Sequence, residues 1–253
     1  MAAHLPARYR RCGFCNAFLQ QPQGLNRDRS AGAGVVPAQY IRSVTPETQA
    51  LVRSATAWAA VPFVPEITLR TAPEPFGLWD RTERDAPPFW AFPWAGGQGL
   101  ARYVLDHPET VAGRRVLDVA SGSGLVAIAA AKAGARTVLA TDIDEHALAA
   151  ITLNAAANGA PQVTARRLDL AAADHGDAEV ILAADVFYQR DLAAMALAFL
   201  KAARRAGAAV LAADPARAFV PTAELVPLIT YEIPVLQVLE ETTVKTVTIY
   251  SLR

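Results

Sequence analysis

From residue 109 to the C-terminus, short apolar runs alternate with longer alanine-rich or amphipathic segments. Short apolar runs bounded by turn residues are typical of buried strands, and the longer segments are typical of helices. This alternation predicts parallel strands with helices on both faces of the sheet. The predicted helices cover residues 97–106, 125–133, 145–158 and 190–205, and the predicted strands cover residues 115–119, 137–141, 162–168, 180–184 and 208–213.

The last two strand patterns, at residues 231–240 and 243–252, follow each other with a very short connection. Strands joined this closely form an antiparallel hairpin, because parallel strands need a longer crossover. With the preceding strands, this pattern predicts an α/β fold class: a Rossmann-like seven-strand sheet with a C-terminal antiparallel β-hairpin and an N-terminal extension.

The first 40 residues have a different composition from the rest of the chain. They are rich in Arg, Ala, Gly, Gln and Pro, and no acidic residue precedes Asp28. We expect a disordered or targeting-like tail. Cys12 and Cys15 form a C-x-x-C pair, but only His4 is near enough in sequence to add a zinc ligand, and the βαβ context of a redox pair is missing. We interpret them as reduced thiols and expect no metal site.

The segment between this tail and the alternating region has two parts. Thr45 as N-cap and Pro46 in the first turn start a helix that we expect to reach Ala60. Residues 61–93 are rich in proline and aromatic residues, with a short strand predicted at 66–70. We interpret this part as a flap over a ligand site, with an extension packed on the sheet as the equal alternative. The predicted regions are a tail at 1–40, a helix and aromatic flap at 41–108, and a ligand-binding domain at 109–253.

Charge and hydropathy restrict the partners. The 253-residue chain has 24 Lys and Arg and 24 Asp and Glu, so its formal net charge is zero. A nucleic-acid footprint needs a clustered basic surface, and a bilayer span needs an apolar run of about 18–20 residues. The sequence shows neither feature. We expect a monomer in the cytoplasm, with no nucleic-acid partner and no membrane partner.

A glycine-rich turn separates the first predicted strand of the domain from its helix. Residues 115–131 read as a strand with a carboxylate at Asp118, a turn with Gly122 and Gly124, and a helix. Glycines permit a close approach of the backbone to a ligand, and a helix N-terminus offers N–H groups to an anion. Asp118 would crowd the pyrophosphate of a dinucleotide, but it suits a ligand that carries an amino group beside a carboxylate. We infer S-adenosylmethionine, a methyl donor.

A nicotinamide dinucleotide is the alternative cofactor. Residues 122–127 also fit G-x-G-x-x-A, and Asp142 follows at about the spacing of the ribose-binding acid of that fingerprint. The methyl donor is favoured because the glycine turn follows a helix and a long N-terminal segment, because Asp118 precedes it, and because the chain ends in a hairpin.

Residues after the next two strands complete the predicted cofactor site. Asp142 is placed to accept hydrogen bonds from both ribose hydroxyls, whereas Asp144 is interpreted as the cap of the next helix. Asp169 and Leu170 would lie beside the adenine, as a polar partner for the amine and an apolar partner for the ring. A simple turn residue is the alternative interpretation of Asp169.

Trp94 opens the helix that precedes the glycine turn. It is followed by the small residues 95–97, which would let the chain pass close to the cofactor. Packing of Trp94 on the cofactor and packing in the core are equal alternatives.

Asp185 and Tyr188 are the candidate catalytic residues. They follow the fourth strand, and ligands of open α/β sheets bind beyond the carboxyl ends of the strands. Asp185 is placed to orient an amine, and Tyr188 to accept a hydrogen bond or to position an alkyl stem. A lysine ammonium must lose its proton before attack, so an acceptor nearby would help. In the alternative interpretation, Asp185 caps the following helix and Tyr188 packs in the core.

Several motifs together resemble one protein family. They lie at residues 89–108, with the sequence FWAFPWAGGQGLARYVLDHP, and at residues 116–124, 141–144, 151–154 and 184–188. They are similar to the electron transfer flavoprotein β-subunit lysine methyltransferase family, which belongs to the seven-β-strand protein methyltransferases and is related to ribosomal protein L11 methyltransferases. The resemblance extends over residues 45–253, and the first 40 residues do not match the family pattern.

The resemblance implies a reaction and assigns roles. It implies methyl transfer from S-adenosylmethionine to lysine side chains of the electron transfer flavoprotein β subunit, with lysine positioning by Asp185 and Tyr188. It also implies cofactor contacts at several of the positions named above and at Ala184. Human-type members are mitochondrial, so the mitochondrial matrix is the alternative location. The full set of candidate cofactor-binding residues is Trp94, Asp118, Ser121, Gly122, Ser123, Gly124, Asp142, Ile143, Asp169, Leu170 and Ala184.

Three alternative functions remain open at this point. The first is methylation of ribosomal protein L11, which an assay on each purified protein would distinguish. The second is a NAD-dependent oxidoreductase, which binding titrations with both cofactors would distinguish. The third is a non-catalytic S-adenosylmethionine-fold protein, for which replacement of Asp185 or Tyr188 would not affect turnover.

Overall fold

The computed structural model describes residues 44–73, 77–79, 87–240 and 242–253. The predictions for residues 1–40, including Cys12 and Cys15, lie outside this part of the chain. The helices are α1 (Pro46–Ala55), α2 (Ala95–Asp106), α3 (Leu125–Lys132), α4 (Glu145–Ala157), α5 (Arg190–Arg205) and α6 (Gln237–Glu240). The strands are β1 (Ala57–Val61), β2 (Val64–Thr71), β3 (Arg115–Val119), β4 (Thr137–Asp142), β5 (Val163–Arg167), β6 (Val180–Ala184), β7 (Ala209–Asp214), β8 (Leu225–Pro234) and β9 (Val244–Leu252).

Strands β3 to β9 form one seven-stranded sheet in the order β5-β4-β3-β6-β7-β9-β8. Strands β3 to β7 are parallel, and β9 is antiparallel to both β7 and β8. The strand order reverses between β3 and β6, so the loops that follow these two strands meet at the carboxyl edge of the sheet. The predicted fold class is confirmed.

The central strands β3 and β6 are buried on both faces, because their alternate residues contribute to two different layers of the core. Val116 and Val180 pack with helices α2, α3 and α4, whereas Leu117 and Ile181 pack with helix α5 on the opposite face. This period of two residues is that of a pleated strand. Successive side chains of these strands therefore point to opposite faces of the sheet.

The C-terminal hairpin differs from the prediction. The first strand was expected at residues 231–240, but β8 ends at Pro234, and the chain then forms the short helix α6 before β9. Proline lacks the N–H that would continue a ladder, so it is found at strand ends and edges. Pro227 also breaks the apolar alternation, and the register shifts between it and Ile229. The prediction of a very short connection between the last two strands is therefore wrong.

The N-terminal helix is shorter than expected. Thr45 caps it, since its side chain accepts a hydrogen bond from the N–H of Thr48, but the helix ends at Ala55 instead of Ala60. The following residues form strand β1, which pairs with β2. In this hairpin the guanidinium of Arg70 lies over the ring of Trp58 at 4.9 Å. Cross-strand pairing of this kind outweighs local helix propensity.

The hairpin formed by β1 and β2 is linked to the glycine loop through one buried side chain. Asn154 on α4 accepts a hydrogen bond from the N–H of Arg70 at 2.9 Å and donates one to the carbonyl of Ser123 at 2.8 Å. Trp90 is buried beside α4, where its ring stacks on His146. The described part of this segment is thus packed on α4, in agreement with the alternative of an extension. Its role as a flap stays a prediction.

The remaining predicted boundaries agree with the observed ones within two residues.

Candidate active site at the carboxyl edge of the sheet

The glycine loop after β3 has an unusual backbone. Ala120, Gly122 and Gly124 have φ angles of +51°, +56° and +83°. A Cβ atom on Gly124 would lie 3.2 Å from Cα of Ile151, so helix α4 packs directly on the loop. The N–H of Ser121 donates to the carbonyl of Thr141 at 2.8 Å and ties the loop to β4. The loop is therefore fixed by its two neighbours before any ligand binds.

Asp118 lies under this loop with only 1% of its surface exposed. Its Oδ2 accepts hydrogen bonds from the hydroxyl of Ser121 and from the N–H of Ala127, the latter at 3.1 Å. Burial raises the pKa of Asp118 to about 7. These contacts assign to Asp118 the role of shaping the loop. Direct contact with the amino group of a ligand stays a prediction.

Asp142 lies at the end of β4 and organises the loop from the other side. Its Oδ2 accepts from the N–H of Gly122 at 2.9 Å, and its Oδ1 accepts from the N–H of Asp144 at 3.0 Å. Burial raises its pKa to about 6. Each carboxylate oxygen can accept a second hydrogen bond, so the predicted ribose contact is compatible with this geometry.

The two residues after Asp142 are an exposed apolar residue and a helix cap. Asp144 caps α4, as predicted, because its side chain accepts from the N–H of His146 at 2.9 Å. Ile143 is 57% exposed. An exposed isoleucine beside an organised carboxylate offers an apolar surface to a flat ring, although its cofactor contact stays a prediction.

Asp169 and Leu170 follow β5 at the same edge of the sheet. The exposed Asp169 accepts a hydrogen bond from the N–H of Ala171 at 2.9 Å, which is the turn geometry of the alternative interpretation. Leu170 and Ala184 are half-buried and pack against the core. Their contacts with an adenine stay predictions.

Three aromatic residues connect the N-terminal segment to the predicted catalytic loop. Trp94 donates from Nε1 to the carbonyl of Phe89 at 2.7 Å, and the two rings lie 5.7 Å apart. The ring of Tyr188 lies 5.5 Å from the same phenylalanine. Trp94 and Tyr188 are both half-buried. They are thus held by packing on Phe89 while part of each side chain still faces solvent.

Asp185 is not a helix cap, and that alternative is wrong, because Gln189 is the N-cap of α5. Asp185 has a left-handed φ of +56°. Its Oδ2 accepts from the N–H of Gly97 at 2.8 Å. A Cβ atom on Gly96 would lie 2.6 Å from this oxygen. The missing side chain at Gly96 therefore makes room for Asp185. The expectation that residues 95–97 let the chain pass close to the cofactor stays a prediction.

Three further charged residues surround Asp185 and were missed from the sequence. We call Asp185, Asp214, Arg217 and Glu240 the acidic cluster. Nη2 of Arg217 lies 3.2 Å from Oδ1 of Asp185 and 3.5 Å from Oε1 of Glu240. Asp214 accepts from the N–H of Arg217 at 2.6 Å. The strand-end rule that identified Asp142 also applies to Asp214 at the end of β7, but Arg217 and Glu240 carry no local signal.

No described helix combines the length and the apolar character needed to span a bilayer. Among the described residues, no group of three His, Cys, Asp or Glu side chains is arranged to hold a metal ion.

The sheet order, the glycine loop after β3 and the carboxylate after β4 define the class of seven-β-strand methyltransferase folds. A family model described as ribosomal protein L11 methyltransferase (PrmA) matches residues 103–207. A crystal structure of ribosomal protein L11 methylase from Lactobacillus delbrueckii subsp. bulgaricus, 22% identical, gives a TM-score of 0.44 over 62% of this chain and 79% of that chain. A likeness at that score does not bear on function.

Curated relatives give the family. The electron transfer flavoprotein beta subunit lysine methyltransferase of Rattus norvegicus is 40% identical over 60% of this chain and 62% of its own length, and that of Xenopus laevis is 38% identical over 62% and 65%. The homolog of Caenorhabditis elegans is 32% identical over 60% of this chain and 70% of its own length. The chain belongs to the electron transfer flavoprotein β-subunit lysine methyltransferase family. It spans less than two thirds of the length of the rat and frog relatives.

Proposed function

We propose that this protein is an S-adenosylmethionine-dependent protein-lysine N-methyltransferase that acts on the electron transfer flavoprotein β subunit. Family membership supports the activity and the substrate. The observation that carries the proposal is the position of Asp185. It follows β6, which is the strand adjacent to β3 across the switch point, so its carboxylate lies at the same edge of the sheet as the glycine loop, where it would bind an amine.

The residues of the glycine-loop edge fit the proposed cofactor. The loop has no side chain at Gly122 or Gly124, and it is flanked by the carboxylate of Asp142 and by the exposed side chain of Ile143. In this arrangement Asp142 would hold the ribose, Ile143 would cover one face of the adenine, and the loop would hold the amino-acid end. When bound, the sulfonium supplies an electrophilic methyl group.

The protein itself has to bind, orient and desolvate the amine. The carboxylate of Asp185 is fixed by the N–H of Gly97 and by Arg217, so its direction is set before the substrate arrives. Tyr188 is fixed against Phe89 on the other side of the same loop. The amine must give up its proton before it attacks, and a fixed carboxylate nearby is the acceptor that the chain offers.

A methyl-transfer assay with matched variants tests this proposal. The purified chain is incubated with the β subunit and isotope-labelled S-adenosylmethionine, and labelled lysines are located by mass spectrometry. We expect Asp185→Asn to lower kcat/KM by about 100-fold or more, because it removes a charged acceptor at the amine. The control is Asp191→Asn, at an exposed position on α5, which should stay within about twofold of wild type.

The possible results separate the candidate functions. Label on ribosomal protein L11 and none on the β subunit would favour the L11 alternative. Cofactor binding without transfer to either protein would favour a non-catalytic role, and binding of NAD in place of S-adenosylmethionine would favour the oxidoreductase. Full activity of Asp185→Asn would remove the proposed site.

The location and the assembly state are part of the same proposal. We propose a monomer in the cytoplasm, with the mitochondrial matrix as the alternative for a substrate that resides there. Cell fractionation and light scattering of the purified protein are the tests.

A further inference from the structure

Within the described residues, the acidic cluster and its neighbour Lys245 hold three carboxylates and two cations. Nζ of Lys245 lies 3.5 Å from Oε2 of Glu240, and the guanidinium of Arg217 is 3.2 Å from Asp185 and 3.5 Å from Glu240. Strong ion pairs have N···O distances of about 2.7–2.9 Å. The carboxylates of the cluster are therefore incompletely neutralised by the cations that surround them.

Asp214 gives an independent indication that a donor is missing. It is fully buried, with 0% of its surface exposed, and its Oδ1 accepts from the N–H of Arg217. Over the described part of the chain, no donor lies within hydrogen-bonding distance of its Oδ2. Burial raises the pKa of Asp214 to about 7, and the neighbouring charge of Asp185 adds to the rise. A buried carboxylate oxygen without a donor is costly, so it points to a ligand that supplies one.

A small cavity reaches one member of the cluster, Glu240. It has a volume of about 100 Å³, and its walls are mostly apolar. Glu240 is its one charged lining residue among those described, and Leu236, which is 53% exposed, lies at its outer side. Ligand sites for whole small molecules have volumes of about 300–1,000 Å³. This cavity therefore suits a single side chain with an apolar stem and a positively charged end. The lining also includes Trp94, Gln98, Phe92 and Leu239.

We propose that the acidic cluster is the seat of the substrate's lysine ammonium group, and that the cavity ending at Glu240 receives the alkyl stem of that lysine. This inference rests on the proposed function for the identity of the substrate. An ammonium group has three N–H donors, and Asp185, Asp214 and Glu240 each offer a carboxylate oxygen. Arg217 fixes the seat, and Lys245 limits its negative charge. Glu240 and Asp214 thus act as positioning residues beside Asp185.

Direct binding of a small cation tests the seat without any methyl transfer. The probe is n-butylammonium chloride, which has the stem and charge of a lysine side chain, and n-pentanol is the neutral control of similar size. Binding is followed by NMR through the amide signals of Gly97 and Arg217, since these groups donate to Asp185 and Asp214. We expect saturable shifts with the cation and none with the alcohol at constant ionic strength. Equal shifts with both, or no shift with the cation, would overturn the proposal.

Variants with opposite expected effects guard against misfolding as an explanation. Glu240→Gln should weaken n-butylammonium binding by about tenfold, because it removes one charged acceptor. Lys245→Gln should strengthen it by about threefold, because it removes a competing cation. Glu232→Gln is the matched control, since Glu232 is exposed on the same hairpin and bonds only to Thr246 among the described residues. Equal affinities in the first two variants would contradict the assignment.

Kinetics with the protein substrate add a second readout. Glu240→Gln should raise KM for the β subunit by about tenfold and change kcat by less than about threefold, because it removes binding more than chemistry. A fall in kcat with an unchanged KM would contradict the seat. If the wild-type protein methylates no lysine at all, the proposed function fails, whereas the NMR titration still decides whether the cluster binds an alkylammonium group.

Discussion

The glycine-loop region and the acidic cluster lie at the same edge of the sheet, but their carboxylates are hydrogen-bonded to different extents. Asp118 and Asp142 accept hydrogen bonds from backbone N–H groups and from one hydroxyl close to them in the fold. Asp185 and Asp214 each accept one backbone N–H, at 2.8 and 2.6 Å, but the other oxygen of Asp185 and Oε1 of Glu240 meet Arg217 only at 3.2 and 3.5 Å. The second oxygen of Asp214 has no donor among the described residues.

This difference separates two ways of preparing a site. Backbone donors are fixed by the sheet, so the glycine loop keeps one shape and suits a ligand that is always the same. In the acidic cluster Gly97 and Arg217 hold Asp185, whereas Glu240 has only ion pairs of 3.5 Å and one oxygen of Asp214 has no donor among the described residues, so these two keep capacity for an incoming cation. Under the proposed function, the first region suits a cofactor and the second suits a substrate group that enters and leaves.

The largest effect is expected on the substrate side, from Gly96→Ala. The new Cβ atom would lie 2.6 Å from Oδ2 of Asp185 and 2.9 Å from the carbonyl of Ala213, so Asp185 has to move. We expect methyl transfer to fall by about 100-fold, since a displacement near 1 Å is enough for such a loss. The measurement is kcat/KM with labelled cofactor.

A second helix glycine provides the control for this variant. In Gly99→Ala the new Cβ atom would lie 2.9 Å from a side-chain atom of Val247, away from Asp185. This variant should show a similar decrease in melting temperature but a loss of activity below about threefold. Equal losses of activity in both variants would show that α2 packing, and not the position of Asp185, controls turnover.

The next effect concerns stability, through Asp214→Asn. Because the pKa of Asp214 is raised to about 7 in the folded state, this group favours folding at low pH, and that contribution is lost as pH rises from about 4 to 7. Asparagine cannot ionise, so the variant avoids this loss. We expect it to gain about 2 kcal/mol in free energy of unfolding relative to wild type between pH 4 and pH 7.

Urea unfolding at both pH values measures this difference. Asp185, Arg217 and Glu240 are the charged groups that act on Asp214. All three are present in both the wild type and the variant. Asp191→Asn, at an exposed site, should show no such pH-dependent gain. A difference between Asp214→Asn and wild type that does not change with pH would contradict the raised pKa.

The smallest effect is expected on the cofactor side, from Gly124→Ala. The residue has a φ of +83°, and the added Cβ atom would lie 3.2 Å from Cα of Ile151. We expect the affinity for S-adenosylmethionine to fall by about tenfold, because the loop must shift by a few tenths of an ångström. Isothermal titration calorimetry provides the measurement.

Gly113→Ala separates backbone strain from contact in this experiment. Gly113 has a φ of +70°, but nothing lies within 4 Å of an added Cβ atom. It should lower the melting temperature without changing cofactor affinity. If both variants lose affinity equally, the packing of α4 on the loop does not shape the cofactor site.

The glycine loop could be predicted from the sequence, whereas most of the acidic cluster could not. The glycine loop, Asp142 and the cap at Asp144 belong to a local pattern of strand, turn and helix, so a short window contains all their partners. The acidic cluster is assembled from the ends of β6 and β7, a loop and the helix α6, and its members are up to 55 residues apart in sequence. No local pattern connects Asp185 to Glu240.

The errors in the predicted elements have different causes. Strand β1 reads as the end of a helix until the pairing of Trp58 with Arg70 is known. Helix α6 reads as a continued strand because Leu236 and Val238 keep an alternating pattern, whereas both are exposed. For β1 the deciding partner, Arg70, lies outside the window from which the prediction was drawn. For α6 the signal lies inside the window, because Pro234 ends the strand.

Asn154 has a consequence for how the protein unfolds. Its amide joins the edge of the β1–β2 hairpin to the carbonyl of Ser123, so opening the hairpin also releases the glycine loop, the proposed cofactor site. The two segments should therefore exchange their amide hydrogens as one cooperative unit, and ligand occupancy should slow exchange at Arg70 although that residue does not border the binding cleft.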